Sequence, residues 1–190
     1  MPLNPKVQIS ETGIHGFCWF AGDDIKEGEW IWKKREPNAP NTDLFLTRAQ
    51  IAQMDSVKRE KYLNLCYQVD EDLHCGFDPD KETIHEELIE DYINHSCNGN
   101  TWYESDELLI AKQDIKKGQE ITYDYCLTKS DPDWILAPKC LCGSDNCRGL
   151  VTGNDWKNPI LQEEYGQHFE PHVLLHVNTP HSKSQDNKLI

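Results

Sequence analysis

Three cysteines, Cys140, Cys142 and Cys147, crowd into the stretch "KCLCGSDNCRGL" (139–150) around Gly143. Thiols this close on a glycine-containing turn have the composition of a metal-binding knuckle, and a structural zinc site takes four tetrahedral ligands from cysteine and histidine. One ligand must then come from elsewhere in the chain. Cys18, Cys66, Cys75, Cys97, Cys126 and the histidines are all eligible, and spacing does not choose among ligands that folding brings together.

Two further stretches carry chemistry. In "DYINHSCNGNTWY" (91–103), Asn94, His95, Ser96 and Cys97 set an amide, an imidazole, a hydroxyl and a thiol side by side after the apolar Tyr92 and Ile93. Downstream, "GQEITYDYC" (118–126) holds Tyr123 and Tyr125 two apart, which places them on one face of a strand. Alone, the first run is also what a polar turn capping a strand looks like, and the second is an ordinary aromatic strand pattern. Their company distinguishes them, because the cysteine turn follows about 15 residues later.

The elements that must position these residues are short. "AGDDIKEGEWIW" (21–32) and "AKQDIKKGQEITY" (111–123) echo each other, each a glycine turn feeding a β-favouring run. They are two similar hairpin elements and too little for a repeat fold. "LTRAQIAQM" offers Thr47 as N-cap and Gln50 at N3, with Leu46 and Ile51 placed as a staple, so a short helix is expected there. Another is expected over 56–64, and "CYQVDEDLHCGF" reads as strand. "NPILQEEYG" has Asn158 as cap and Pro159 at N1, and "EPHVLLHV" reads as a last helix. The expected fold is mainly β with short helices at the margins, an α+β arrangement of small sheets. His168, His172 and His176 recur every four residues, but Pro171 interrupts a single helix, and a solvated face is favoured over a second metal site.

Composition bounds the rest. A chain of 190 residues fits one domain. The N-terminus shows no basic stretch followed by an apolar run, and no window approaches a membrane span, so an intracellular, non-membrane protein is expected, with its eight cysteines as thiols and ligands. Cys18, Cys66, Cys75 and Cys126 read best as small buried hydrophobes. The formal net charge of -14 argues against direct nucleic-acid binding and for a basic, lysine-rich partner.

Taken in order, "GIHGFCWFAGDDIKEGE", "YINHSC", "GQEITYDY" and "CLCGSDNCRG" resemble the SET-domain protein lysine methyltransferases with a post-SET zinc motif, over residues 8 to 151. The resemblance implies a β-clip of small sheets in which the NHSC-type segment forms a pseudoknot. It implies S-adenosylmethionine on one side and a lysine channel from the other. It divides the chain into a SET domain (1–128), a post-SET zinc segment (129–152), a C-terminal helical extension (153–177) and a flexible tail (178–190).

Carried over by position, the resemblance implies cofactor contacts from Gly16, Phe17, Cys18, Trp19, Asn94, His95, Tyr125 and Leu141. It makes Tyr125 the catalytic tyrosine, Tyr123 the residue that influences how many methyl groups are added, and Tyr67 an upstream channel tyrosine. It makes Cys97 the fourth ligand beside Cys140, Cys142 and Cys147, around a structural zinc, with Leu141 and Leu150 as apolar walls. The implied activity is methyl transfer to a lysine of a histone tail or other basic protein, mainly monomethylation, by a monomer of the nucleus or cytoplasm. The alternative is a SET-like module that binds a lysine-rich partner without catalysis. The chain departs from the family pattern at Cys18, which replaces a glycine, and at Gly99, where proline is common. It also departs at Asp91, often basic, and in the acidic run "DKETIHEELIED" (80–91).

Overall fold

A computed structural model describes residues 3–12, 16–34, 43–81, 92–136 and 139–179. Asp91, most of the acidic run before it and the tail from 180 onward lie outside the described residues. The architecture is mainly β, in small sheets. Strands β1 (Val7–Thr12) and β2 (Gly16–Ala21) form an antiparallel pair. β3 (Trp30–Lys33), β8 (Thr101–Ser105) and β9 (Leu108–Ala111) form a second sheet in the order β3-β9-β8. β4 (Asp43–Thr47), β5 (Tyr67–Asp70) and β6 (Leu73–Phe77) form a third, ordered β4-β6-β5. The fourth is a two-residue parallel pair of β7 (Asn94–His95) with β10 (Thr122–Tyr123).

The helices begin where local chemistry places them. Thr47 and Gln50 complete a capping box at the start of α1 (Arg48–Gln53), satisfying two orphan donors at once. Asp55 accepts from the Val57 and Lys58 amides to open α2 (Ser56–Leu65). Asn158 accepts from the Ile160 amide at α3 (Pro159–Tyr165), which like α4 (Pro171–Asn178) has proline in its first turn, where the missing amide proton has no intrahelical partner anyway.

These last two helices are not marginal. Leu161, Tyr165, Phe169 and Val173 are buried in the same core as Trp19, Ile31, Ile121 and Leu127, so the chain after 153 is part of the molecule's centre. The periodicity of these short helices was too brief to reveal a buried face. No helix among the described residues is long and apolar enough to cross a membrane.

The two echoing segments meet face to face. Ile25 and Ile115 exchange both backbone hydrogen bonds at 2.9 Å, Gly28 N donates to Ala111 O, and Gly118 N donates to Ala21 O. Lys26 pairs with Asp114 and Lys116 with Asp24, each across the join. The pairing is an approximate two-fold that locks the entry of β3 to the approach of β10, fixing the sheet that carries Tyr123 against the one that carries Cys18.

Candidate functional site

The site grows from the β7–β10 pair. Its register sets Asn94 beside Thr122 and His95 beside Tyr123, and the turn that follows stays against β10. Ser96 N donates to Tyr123 O and Asn100 N to Thr122 O, while the Asn100 side chain bonds the Glu120 carbonyl and the Thr122 amide. Gly99 is the point of closest approach: a Cβ there would lie 2.6 Å from the Tyr123 Cα and 2.8 Å from its carbonyl carbon. That crowding explains glycine at a position where the family pattern has proline.

Tyr123 and Tyr125 do come together, but not by strand alternation. β10 ends at Tyr123, and Tyr125 opens a 3-10 turn, Tyr125–Leu127, capped by the Asp124 carboxylate accepting from Cys126 N. The competing side-chain cap ends the strand early. The two rings remain 5.0 Å apart. Tyr125 Oη donates to Ile93 O at 3.1 Å, and its ring lies 5.1 Å from His95 and 5.9 Å, edge to face, from Trp134. Tyr123 is buried, its hydroxyl 3.3 Å from Thr128 Oγ1 and its ring edge-on to Tyr103 at 5.9 Å. Tyr67 stands 40 % exposed at the start of β5.

Tyr103 links these groups. Burial drives its hydroxyl pKa well above the ordinary range, with the Glu170 carboxyl and the Tyr123 and Tyr67 hydroxyls pushing the same way; it bonds the Glu170 carboxyl, and its ring meets that of Tyr123. Glu170 itself, at the N-cap of α4, is pushed up to about 8 by burial. Sequence reasoning missed Tyr103, Trp134, Thr128 and Glu170, although Tyr103 closes the quoted run 91–103.

On the other side of β7, Cys18 is fully buried and its sulfur receives a hydrogen bond from Asn94 Nδ2 at 2.9 Å. The same amide nitrogen donates to Glu120 Oε1 at 2.9 Å. Both protons of the Asn94 amide are thereby engaged and its carbonyl oxygen is oriented. Cys18 sits in regular strand pairing opposite Ser10, and the left-handed backbone falls on Gly16 at φ 71, so cysteine replaces glycine here without backbone strain. The Phe17 ring lies 5.1 Å from Tyr92. Trp19 is 1 % exposed within the core, paired with Ile9 in the sheet, and its carbonyl accepts from Ile121 N.

The cysteine turn finds its fourth member. Sulfurs of Cys97, Cys140, Cys142 and Cys147 lie within 4.8 Å of one another, and Cys97 and Cys140 are 3.9 Å apart. Four thiolates at about 2.3 Å from a tetrahedral zinc are about 3.8 Å apart, so the set fits the ion. Burial raises the Cys97 and Cys140 thiols, whereas hydrogen bonds at Ser144 outweigh burial at Cys142 and lower it. Cys18, Cys75 and Cys126 are buried outside the cluster and Cys66 is half-buried. Leu141 and Leu150, by contrast, stand 78 % and 61 % exposed.

His95 joins the two halves. Its Nδ1 accepts from Tyr125 N at 3.1 Å, so Nε2 carries the proton and faces Cys97 Sγ at 3.3 Å. Burial, opposed by Asp124, pushes its pKa down to about 4. A neutral imidazole thus ties the catalytic-tyrosine candidate to a metal-ligand candidate, in the manner of the hydrogen-bonded groups that orient metal ligands. Both ring nitrogens being occupied, a cofactor can meet His95 only through its backbone or ring face.

Arg148, next to Cys147, makes the second tie. Its guanidinium bonds both Asp124 oxygens at 2.6 and 2.7 Å and Asp155 Oδ2 at 2.7 Å, while its amide donates to Cys97 Sγ. Tyr165 Oη also donates to Asp124. Burial alone would raise the Asp124 pKa; the arginine beside it outweighs that and holds it low. The signal for Arg148 lay in the quoted "CRG", read only for its cysteine.

The three late histidines correct an expectation. They do not form a solvated face: His172 is buried with Nε2 3.0 Å from Thr128 O, His168 stacks on Trp102 at 3.8 Å and His176 on Trp156 at 5.1 Å. Pro171 does separate His168 from the helix that carries the other two. The aromatic partners come from distant strands and turns, which helical spacing does not report.

A family model described as SET domain matches residues 16–126, more than half of the chain. A histone-lysine N-methyltransferase of Arabidopsis thaliana, ASHH2, is 35 % identical over 44 % of this chain and 5 % of its own length. An H3 lysine-36 specific histone-lysine N-methyltransferase of Mycosarcoma maydis is 29 % identical over 77 % of this chain and 14 % of its own. Histone-lysine N-methyltransferase SETD1B of Homo sapiens is 45 % identical over 32 % and 3 %. The chain therefore spans less than a fifth of the length of these relatives.

Proposed function

This chain belongs to the SET-domain family, and from that premise we propose that it transfers a methyl group from S-adenosylmethionine to the side-chain amine of a lysine in a basic protein. The observation that carries the reading is the junction at β7: the rings of Tyr123, Tyr125 and Tyr103 gather beside His95, while Asn94, the residue before it, bonds Cys18. Relatives that act on histones, and a net charge of -14, favour a lysine-rich tail as substrate and the nucleus as the place.

Each residue has a task. A lysine amine has a reference pKa of about 10.4, so presenting it neutral at pH 7 costs about 4.6 kcal/mol in water; a desolvated aromatic channel lowers that pKa and aligns the nitrogen. Tyr125 gives its proton to Ile93 O, so its oxygen meets the amine and the developing cation as an acceptor. The ring faces of Tyr123 and Trp134 add cation–π attraction. Tyr67, at the exposed rim, guides the substrate stem. Asn94, with its carbonyl oxygen fixed by Cys18 and Glu120, and the Gly16–Trp19 backbone hold the cofactor. S-adenosylmethionine held there would supply an electrophilic sulfonium methyl, its carbon–sulfur bond breaking as the carbon–nitrogen bond to lysine forms. The Tyr123 hydroxyl occupies channel space and favours monomethyl product.

Zinc held by Cys97, Cys140, Cys142 and Cys147 would be structural, with all four positions taken by the chain. Bound there, it would fix Cys97 against His95 and tie residues 139–151 to it, where the exposed Leu141 and Leu150 can close on bound ligands.

The test is labelled S-adenosylmethionine with mixed histones and other basic proteins. Label on lysine, lost in Tyr125→Phe single turnovers, is the expected result. Binding of basic peptide without label would identify a binding module instead. Cys142→Ser should abolish transfer while the upstream sheets stay folded, and full transfer by metal-free protein would overturn the zinc assignment.

A further inference from the structure

The family match ends at residue 126, yet the hydroxyl of Tyr123 is met by a residue beyond it. Thr128 is 2 % exposed, and its Oγ1 donates to Tyr125 O at 3.5 Å and lies 3.3 Å from Tyr123 Oη. The second contact holds the tyrosine hydroxyl against the threonine oxygen whichever of the two donates. Thr128 is in turn held from behind. His172 Nε2 lies 3.0 Å from Thr128 O, and because a carbonyl only accepts, the imidazole donates. His172 is buried on α4, with its other nitrogen 3.4 Å from Glu170 Oε2, and Glu170 N donates to Leu127 O. Two bonds from the start of α4 thus grip the end of the 3-10 turn.

Resting on the methyl-transfer reading above, we propose that Thr128, positioned by His172 of α4, is the residue that sets how many methyl groups this chain adds, by tethering the hydroxyl of Tyr123. A tethered hydroxyl keeps its volume in the channel and excludes a second methyl. Released, it can swing aside by a change of χ1 that carries the whole ring past Tyr103, which meets it by an edge, and the space opens. The C-terminal helices are then a product-specificity device, and Thr128 and His172 are positioning residues acting through Tyr123.

The experiment is mass spectrometry of a lysine-rich peptide methylated by purified wild type and variants, with [13Cζ]tyrosine NMR of the same proteins. Thr128→Val, which keeps shape and removes the hydroxyl, should raise the dimethyl-to-monomethyl ratio by about fivefold, the factor that corresponds to about 1 kcal/mol for one hydrogen bond. His172→Leu should shift it in the same direction. Thr128→Ser and His172→Gln, which restore the donor and acceptor, should return it to the wild-type ratio. The Tyr123 Cζ signal should move in Thr128→Val and not in Thr128→Ser. An unchanged ratio in Thr128→Val with transfer intact would overturn the proposal, as would an unmoved Tyr123 signal even if no variant methylates. A wild type that labels nothing while Thr128→Val still shifts the signal would fail the methyl-transfer reading and leave the tether itself demonstrated.

Discussion

The paired turns around Ile25 and Ile115 and the junction of Arg148 with Asp124 both join distant stretches of chain through charge, the first in water and the second out of it. At the turns, Lys26–Asp114 and Lys116–Asp24 have side chains 46 to 66 % exposed; the register is already fixed by backbone bonds between the two isoleucines. At the junction, Asp124 has no exposed side-chain surface and Arg148 has 16 %, and the contacts run to the cap of Tyr125 and the amide against Cys97. The turns use charge to decorate a join made by main chain. The junction uses charge as the join.

Arg148→Met strands a buried carboxylate, for which loss of one partner costs about 3–5 kcal/mol, and urea denaturation should show a loss of that size. Replacing Asp124 as well, in Arg148→Met/Asp124→Leu, should recover much of it. The pH dependence gives the sign. The folded pKa of Asp124 lies below its ordinary value because of the arginine, so its stabilisation is present above about pH 4 and is lost as pH falls through the folded value. Without Arg148, burial raises that pKa, and acid unfolding should begin at higher pH. A variant as stable as wild type at neutral pH would mean that the junction is carried by packing alone.

Glycines sharpen the same contrast. Gly28 and Gly118 in the turns have φ of 76 and 84, and a Cβ at either would meet nothing within 4 Å, whereas Gly99 at the site is pressed against the Tyr123 backbone. Gly28→Asn should be tolerated, because asparagine enters the left-handed region at low cost. Gly99→Ala should lose about 1–3 kcal/mol by overpacking and reduce cofactor affinity, since β7 would be forced off β10. Thermal denaturation of the two variants side by side checks it, and equal tolerance would remove the steric explanation for Gly99.

Glu170 is a buried acid without an arginine. Lys129 and Lys34 lower its pKa and Asp106 raises it, but burial dominates and holds it at about 8. A raised carboxyl contributes stability below its unfolded value of 4.5 that is lost as pH rises through about 8. Glu170→Gln should flatten that decline and be more stable than wild type at pH 9, by on the order of 2 kcal/mol. Parallel pH–stability curves for the two proteins would show that Glu170 is ionised in the fold at neutral pH.

What the sequence revealed follows the same division. The echo of 21–32 in 111–123 was visible because each turn is encoded locally, by an aspartate, an isoleucine and a glycine at fixed offsets; that they embrace each other was not, since contact between the two copies leaves no mark in either. The capping box at Thr47 and Gln50 was legible for the same local reason. The gathering of Cys97 with the three late cysteines needed the family resemblance, because 43 residues separate it from Cys140. The roles of Arg148, His172 and Thr128 stayed hidden. The first two act on partners 24 and 44 positions away, the third across the end of a short turn, and a lone arginine or threonine carries no periodic signal. Tyr125 was placed rightly beside Tyr123 for the wrong reason, as the strand that alternation required stops one residue after Thr122.

The smallest effect belongs to the turns. Lys26 and Lys116 are largely solvated, although their partners are held below the ordinary carboxylate range. Asp114 is lowered first by the Lys26 ammonium and then by the Glu27 amide, Asp24 first by the Lys117 amide and then by the Lys116 ammonium. Exposed pairs of this kind lose most of their attraction to solvent and salt. Lys26→Ala and Lys116→Ala, singly or together, should therefore leave the melting temperature close to wild type at physiological salt, with any difference shrinking further as salt is raised. The reason lies in the carboxylates, whose bonds to Glu27 N and Lys117 N survive the loss of the lysine and keep the turns closed. Asp24→Ala and Asp114→Ala remove those bonds too and should cost more than their lysine partners do. If the lysine variants instead proved as damaging as Arg148→Met, the two-fold join would be electrostatic after all, and burial would not be what separates the two regions.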